Sequence, residues 1–185
     1  MRQLIEKRAG ALAVPHKVVG RARLLGAICK VETGGWQNRQ PNFEFSYWIG
    51  GAYFDLEVHK KALERADPVL VPTMSALTAC SVGPFQVMYA TARELGFRGS
   101  VLELADPRTN LEFAIRYLNL RAVAKMPGHH TEEEWVTGCA DAYNTGNPRD
   151  TRRNPAYEAD VLEAYRSQDL WEDFAELPEY YRGTW

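Results

Sequence analysis

The chain has no long apolar run. No stretch approaches the roughly 20 apolar residues of a membrane-spanning helix, and residues 1–17 lack the apolar centre of a secretory signal. It has no excess of one charge either: 22 Lys+Arg stand against 24 Asp+Glu, a formal net charge of −2. That balance gives no overall pull toward nucleic acid or an anionic membrane. Cysteine is scarce. Cys29, Cys80 and Cys139 fit neither zinc-ligand nor redox-pair spacing, and an odd count excludes a fully paired disulfide framework. All three are expected to be small buried hydrophobes in a reducing compartment. Also missing are a glycine-rich phosphate loop and a His-Glu-x-x-His zinc motif. No Ser and His fall into a nucleophile arrangement. The residues therefore predict no cofactor and no metal. His129 and His130, beside Pro127 and Gly128, read as a surface loop. Arg149, Arg152 and Arg153 read as a solvated basic face.

What is present is an ordinary globular balance, 45% hydrophobic and 25% charged over 185 residues. A chain of this size buries a real core without disulfides or metal, so one domain over 1–185 is expected. The pattern is mainly helical. Val18, Val19, Ala22, Leu25, Ile28 and Cys29 fall at helical intervals, and Gly34–Gly35 stops that helix. Glu32 thus belongs to its last turn or lies just past it. Residues 35–51 are aromatic, Gly-flanked and irregular, which predicts a loop or short hairpin. Residues 54–66 predict a helix ended by Pro68. Residues 84–95 predict a second helix, with Pro84 at its first position and Gly96 at its end. Asp106–Pro107 starts another, running to about Lys125. Thr131 to Glu134 forms a capping box for a helix ending near Asn144–Gly146. Asn154–Pro155 opens the last one. The acidic, aromatic tail after Asp169 is expected to pack back on the body, because Trp and Tyr bury large areas.

Three short segments carry chemistry. In Val31-Glu32-Thr33-Gly34-Gly35 an acid follows an apolar run and precedes two glycines. Desolvation raises a carboxyl's pKa, as a general acid requires, and glycines let a polymer approach the backbone. In Gly83-Pro84-Phe85-Gln86-Val87-Met88, the Gln86 amide both donates and accepts hydrogen bonds and suits a sugar hydroxyl or acetamido group. In Ala142-Tyr143-Asn144-Thr145-Gly146, Tyr143 could donate to that carboxyl or to the sugar. Taken alone, each has a plainer reading: a Gly-capped helix end, a surface Gln beside core Phe85 and Met88, and an aromatic core residue before an Asn/Gly cap.

Taken together, their order resembles the Slt-type lytic transglycosylases, the lysozyme-like enzymes that cut peptidoglycan. The family's pattern is Glu-Ser-Gly, then Gly-Leu-Met-Gln, then Ala-Tyr-Asn-Ala-Gly. Here these read Glu32-Thr33-Gly34, Gly83-Pro84-Phe85-Gln86 and Ala142 to Gly146. The continuation after Gln86, and Asp106-Pro107 with Asn110-Leu111, are also similar, so the resemblance covers about 18–146. Thr33 replaces Ser, and Pro84 and Phe85 replace Leu and Met. The stretch 35–80 is longer than usual and contains Asn42-Phe43-Glu44-Phe45-Ser46-Tyr47-Trp48, which is similar to the phage-type muramidases. Residues 147–185 form a C-terminal helix and tail.

The resemblance implies a lysozyme-like fold with a cleft between helical lobes and an aromatic, irregular or short β insertion. It implies Glu32 as catalytic acid. Thr33 would support it by a hydrogen bond, and Gln86, Tyr143 and Asn144 would orient the acid or the sugar. Gly34, Phe85, Met88 and aromatics such as Tyr47 or Trp48 would line subsites. The implied reaction cleaves the MurNAc-GlcNAc β-1,4 bond with formation of 1,6-anhydro-MurNAc and needs one carboxyl. A hydrolytic muramidase would need a second, for which Glu44 and Asp55 are candidates. A non-catalytic peptidoglycan-binding or virion module is the third reading. The expected partner is the glycan strand, with no nucleic acid, no stable membrane insertion and a monomeric chain. The missing export signal suits delivery by a phage, as an endolysin or a virion-associated enzyme.

Overall fold

The computed structural model describes residues 1–38, 40–43, 79–126, 128, 130–146, 148 and 154–177. The expected helix over 54–66, together with Glu44, Tyr47, Trp48, Asp55, His129, Arg149, Arg152 and Arg153, lies outside the described residues. The described part is mainly helical. Helices α1 (Arg2–Arg8) and α2 (Arg21–Thr33) precede a small sheet of β1 (Asn42–Phe43), β2 (Cys80–Val82) and β3 (Val87–Met88). Then follow α3 (Tyr89–Glu94), α4 (Val101–Ala105), α5 (Pro107–Arg121), α6 (Glu132–Thr145) and α7 (Pro155–Arg166). No helix among the described residues is long and apolar enough to cross a membrane.

The core forms around α2, which packs against α1 and α7, while α7 also packs on α6. Leu24, Leu25, Ala27, Ile28 and Cys29 are all fully buried, so most of the helix's circumference is covered. Such a helix belongs to an interior, where each buried aliphatic side chain contributes about 1.5–3 kcal/mol. Its neighbours start where their caps dictate. Asp106 accepts the Arg108 and Thr109 N–H groups at the start of α5. Thr131 and Glu134 close a reciprocal capping box on α6, and Asn154 accepts from Tyr157 N–H on α7. Each satisfies amides that the helix leaves without partners. The tail returns as expected through Leu177. Trp171 lies on α2 where Gly26 has no side chain; a Cβ there would sit 2.5 Å from the indole.

All three cysteines are free and buried. Burial pushes the Cys29 and Cys139 thiols up to about 12. They behave as apolar filling, not as nucleophiles.

The helix expected over 84–95 starts only at Tyr89. Gly83 (φ 76°) and Gln86 (φ 46°) are left-handed, which breaks the helical path and makes 83–86 a turn between β2 and β3. The antiparallel pairs are Ser81 with Met88 and Val82 with Val87, and β1 adds Asn42 opposite Ser81 and Phe43 opposite Cys80. Pro84 therefore occupies a turn, not a helix start.

One buried side chain clamps that turn. Asn110, fully buried on α5, accepts Phe85 N–H through Oδ1 at 2.8 Å. Its Nδ2 donates to the carbonyls of Val82 at 2.8 Å and Leu104 at 3.1 Å. It lies where a side chain on Gly83 would go, 2.5 Å from a Cβ built there. Substituting Asn110→Ala strands buried polar groups that have no water to turn to. The expected loss is about 3 kcal/mol, read as a lower midpoint in urea unfolding.

Candidate active site

Glu32 is the penultimate residue of α2 and is part-buried. The helix ends because Gly34 takes a left-handed cap, φ 61°, with its N–H on the Lys30 carbonyl at 2.8 Å. Gly35 (φ 71°) and Trp36 (φ 74°) continue left-handed, so the chain turns sharply away just past Glu32. Its carboxylate Oε1 accepts a hydrogen bond of 2.5 Å from the Tyr157 hydroxyl on the first turn of α7. Burial first, and the Glu32 charge second, push the Tyr157 phenol well above its ordinary value. Tyr157 therefore stays protonated and remains a donor to Glu32.

Thr33 does not serve the adjacent carboxyl as expected. Its buried hydroxyl lies 3.0 Å from the Cys29 carbonyl and 2.9 Å from the Pro84 carbonyl, and it accepts Trp36 N–H at 2.9 Å. It ties the end of α2 to the 83–86 turn. Of the two partners expected for Tyr143, the carboxyl is not the one its hydroxyl takes: it donates to the Phe85 carbonyl at 2.5 Å. The Tyr143 phenol is raised well above normal by burial, then by the charge of Glu32. Phe85, expected on a cleft wall, is fully buried. The turn geometry aims its ring into the core and leaves its backbone to meet Tyr143 and Asn110.

Gln86, Val87, Met88, Thr91, Tyr117, Tyr143 and Asn144 line one cavity of about 90 Å³. Three residues singled out in the sequence, Gln86, Met88 and Asn144, thus share a pocket with Tyr143. The Gln86 amide is already engaged: it accepts from the Ser81 hydroxyl at 2.8 Å and donates to the Gly83 carbonyl at 3.0 Å. Thr91 and Tyr117 were not foreseen. Tyr117 packs edge-on to Tyr143 at 5.7 Å. The glycines after Glu32 also have another use. The place of a Gly35 Cβ is filled by Phe174, 2.8 Å away, so this glycine admits the chain's own tail. Gly34 is the left-handed cap. Among the described residues no group of three or more His, Cys, Asp or Glu could hold a metal ion.

The family model of the Transglycosylase SLT domain matches residues 58–161, more than half of the chain. The chain belongs to the Slt transglycosylase family. This family is associated with peptidoglycan-cleaving enzymes of the lysozyme-like superfamily, and the mainly helical fold agrees with that class. Searches of curated proteins and of solved structures returned no match. The Slt stretch begins after Glu32 but contains Gln86, Tyr143, Asn144 and Tyr157. Hydrogen bonds cross that boundary at the site, from Tyr157 to Glu32 and from Thr33 to the Pro84 carbonyl. Tyr157 escaped the sequence reading because it sits in no recognisable motif. Its only signal is its place on the first turn of a helix opened by Asn154–Pro155.

The Thr33 hydroxyl separates two substitutions. Thr33→Ser keeps all three contacts and should retain stability to within about 1 kcal/mol, whereas Thr33→Val removes all three and should cost about 2 kcal/mol. Thermal unfolding of the two variants side by side measures the difference.

Proposed function

We propose that the protein is a peptidoglycan lytic transglycosylase in which Glu32 acts first as general acid and then as base. One observation carries this reading: an acid outside the family stretch is held at 2.5 Å by Tyr157 inside it. Glu32 would protonate the glycosidic oxygen that leaves from MurNAc C1. The sugar's own acetamido group would assist departure, an exception to the two-carboxylate scheme. The Glu32 carboxylate would then take the proton of the MurNAc 6-hydroxyl as O6 closes on C1. The 1,6-anhydro ring forms, the GlcNAc 4-hydroxyl keeps the first proton, Glu32 regains one and no water is consumed.

Tyr157 suits both steps. With Oε1 accepting from the phenol, the transferable proton belongs on Oε2. The phenol's raised pKa keeps it from competing as an acid. Gln86, Met88, Tyr143 and Asn144 would shape the sugar subsite, as their shared cavity supports. Tyr143 would act through the Phe85 carbonyl rather than on the acid.

Mass spectrometry of muropeptides released from purified peptidoglycan tests the reading. Products ending in 1,6-anhydro-MurNAc are expected. Reducing ends would overturn it in favour of a hydrolase, and no release by the folded protein would favour a binding module. Glu32→Gln should keep the fold and lose at least about 100-fold in rate. Tyr157→Phe should lose only the charged hydrogen bond, lowering kcat by about 10-fold with little change in KM. An unchanged kcat in steady-state assays would remove Tyr157 from the mechanism.

A further inference from the structure

The turn after Glu32 is three left-handed residues in a row, Gly34, Gly35 and Trp36. Trp36 has no intrinsic preference for that region, so the surrounding contacts must impose it. Inside, Thr33 holds the Trp36 N–H. Outside, the turn is held by residues 170–177, which lie beyond the family stretch. Ala175 N–H donates to the Gly35 carbonyl at 3.0 Å, and Gln37 Nε2 donates to the Asp173 carbonyl at 2.7 Å. Phe174 presses on Gly35, with its Cδ2 2.8 Å and its Cα 3.0 Å from where a Cβ would stand. Trp171 does the same at Gly26 and contacts Phe174, their ring centroids 4.8 Å apart. The two rings therefore press on α2 at Gly26 and on the turn just past its end at Gly35, one on each side of Glu32 in the chain. The Lys30–Asp173 ion pair adds little, since the Asp173 side chain is 71% exposed.

We infer that the 170–177 segment is a brace that sets the direction of the Glu32 carboxyl, with Phe174 as its main positioning residue. The inference rests on Glu32 being the acid. A displaced brace leaves the fold and the sugar subsite in place but lets the last turn of α2 relax, and a misplacement of about 1 Å can cost 100-fold in rate. Substrate binding draws on the cavity of Gln86, Met88 and Asn144, which no residue of the brace lines. The effect belongs in kcat and not in KM.

The test is steady-state muropeptide release by Phe174→Ala, Phe174→Leu and Leu118→Ala, each assayed at a temperature where circular dichroism shows it folded. Leu118 is fully buried on α5 and reports what plain core truncation does. Phe174→Ala should lose about 10-fold in kcat with KM within about twofold, and Phe174→Leu should recover most of it. Leu118→Ala should lower the melting temperature while keeping kcat. Should Phe174→Ala fail to fold, Gln37→Ala removes the exposed link to Asp173 and should still lower kcat severalfold. An unchanged kcat in the folded brace variants, or an equal fall in Leu118→Ala, overturns the brace alone. A wild-type protein that releases nothing overturns the proposed function and the brace with it.

Discussion

A buried turn must have its backbone polar groups satisfied, and here three helices lend side chains to do it. The 82–86 segment carries carbonyls and amides that the short strands on either side, three residues and two, cannot pair. Asn110 from α5 takes Val82 and Phe85, Thr33 from α2 takes Pro84, and Tyr143 from α6 takes the Phe85 carbonyl. An unpaired buried group costs about 1–3 kcal/mol, so the helices can dock only where these bonds close together. The same requirement brings the end of α2, the turn with Gln86 and the end of α6 to one place. The three separate sequence segments meet because the turn between them would otherwise be unsatisfied.

Thr33, Phe85 and Tyr143, expected at the site from the sequence, all commit hydrogen bonds to this turn. Those bonds do not follow from the spacing of the three segments. A hydroxyl next to a carboxyl in sequence sits about 100° further round a helix, so Thr33 is buried while Glu32 is only part-buried. Tyr157 is the converse case. It is distant in sequence, belongs to no motif, and reaches Glu32 only because α7 packs along α2.

The elements legible in the sequence are those with a local cause. Asp106–Pro107, the Thr131–Glu134 box, Asn154–Pro155 and the Gly34 stop each satisfy amides or carbonyls within a few residues, and each held. The helix expected from Pro84 did not, because helix-friendly composition after Gln86 cannot reveal that Gln86 itself is left-handed; that conformation is imposed from Asn110, 24 residues away in sequence by their numbers. Helix α1 was missed because Leu4 and Ile5 give too short an apolar pattern. Helix α4 was missed although Ser100 and Glu103 form a full capping box, since five residues show no period.

The long stretch between Glu32 and Gln86 departs from the family pattern, yet it need not disturb the relation between them. Phe43 and Cys80, which flank 44–78, are paired across β1 and β2. The two ends of the connection are therefore held side by side, and the entropy of closing a longer connection grows only logarithmically. Glu32 keeps its position through Thr33 on one side and Tyr157 on the other, both independent of that connection's length. The contacts at the carboxyl are made by helices that pack against one another whatever that length.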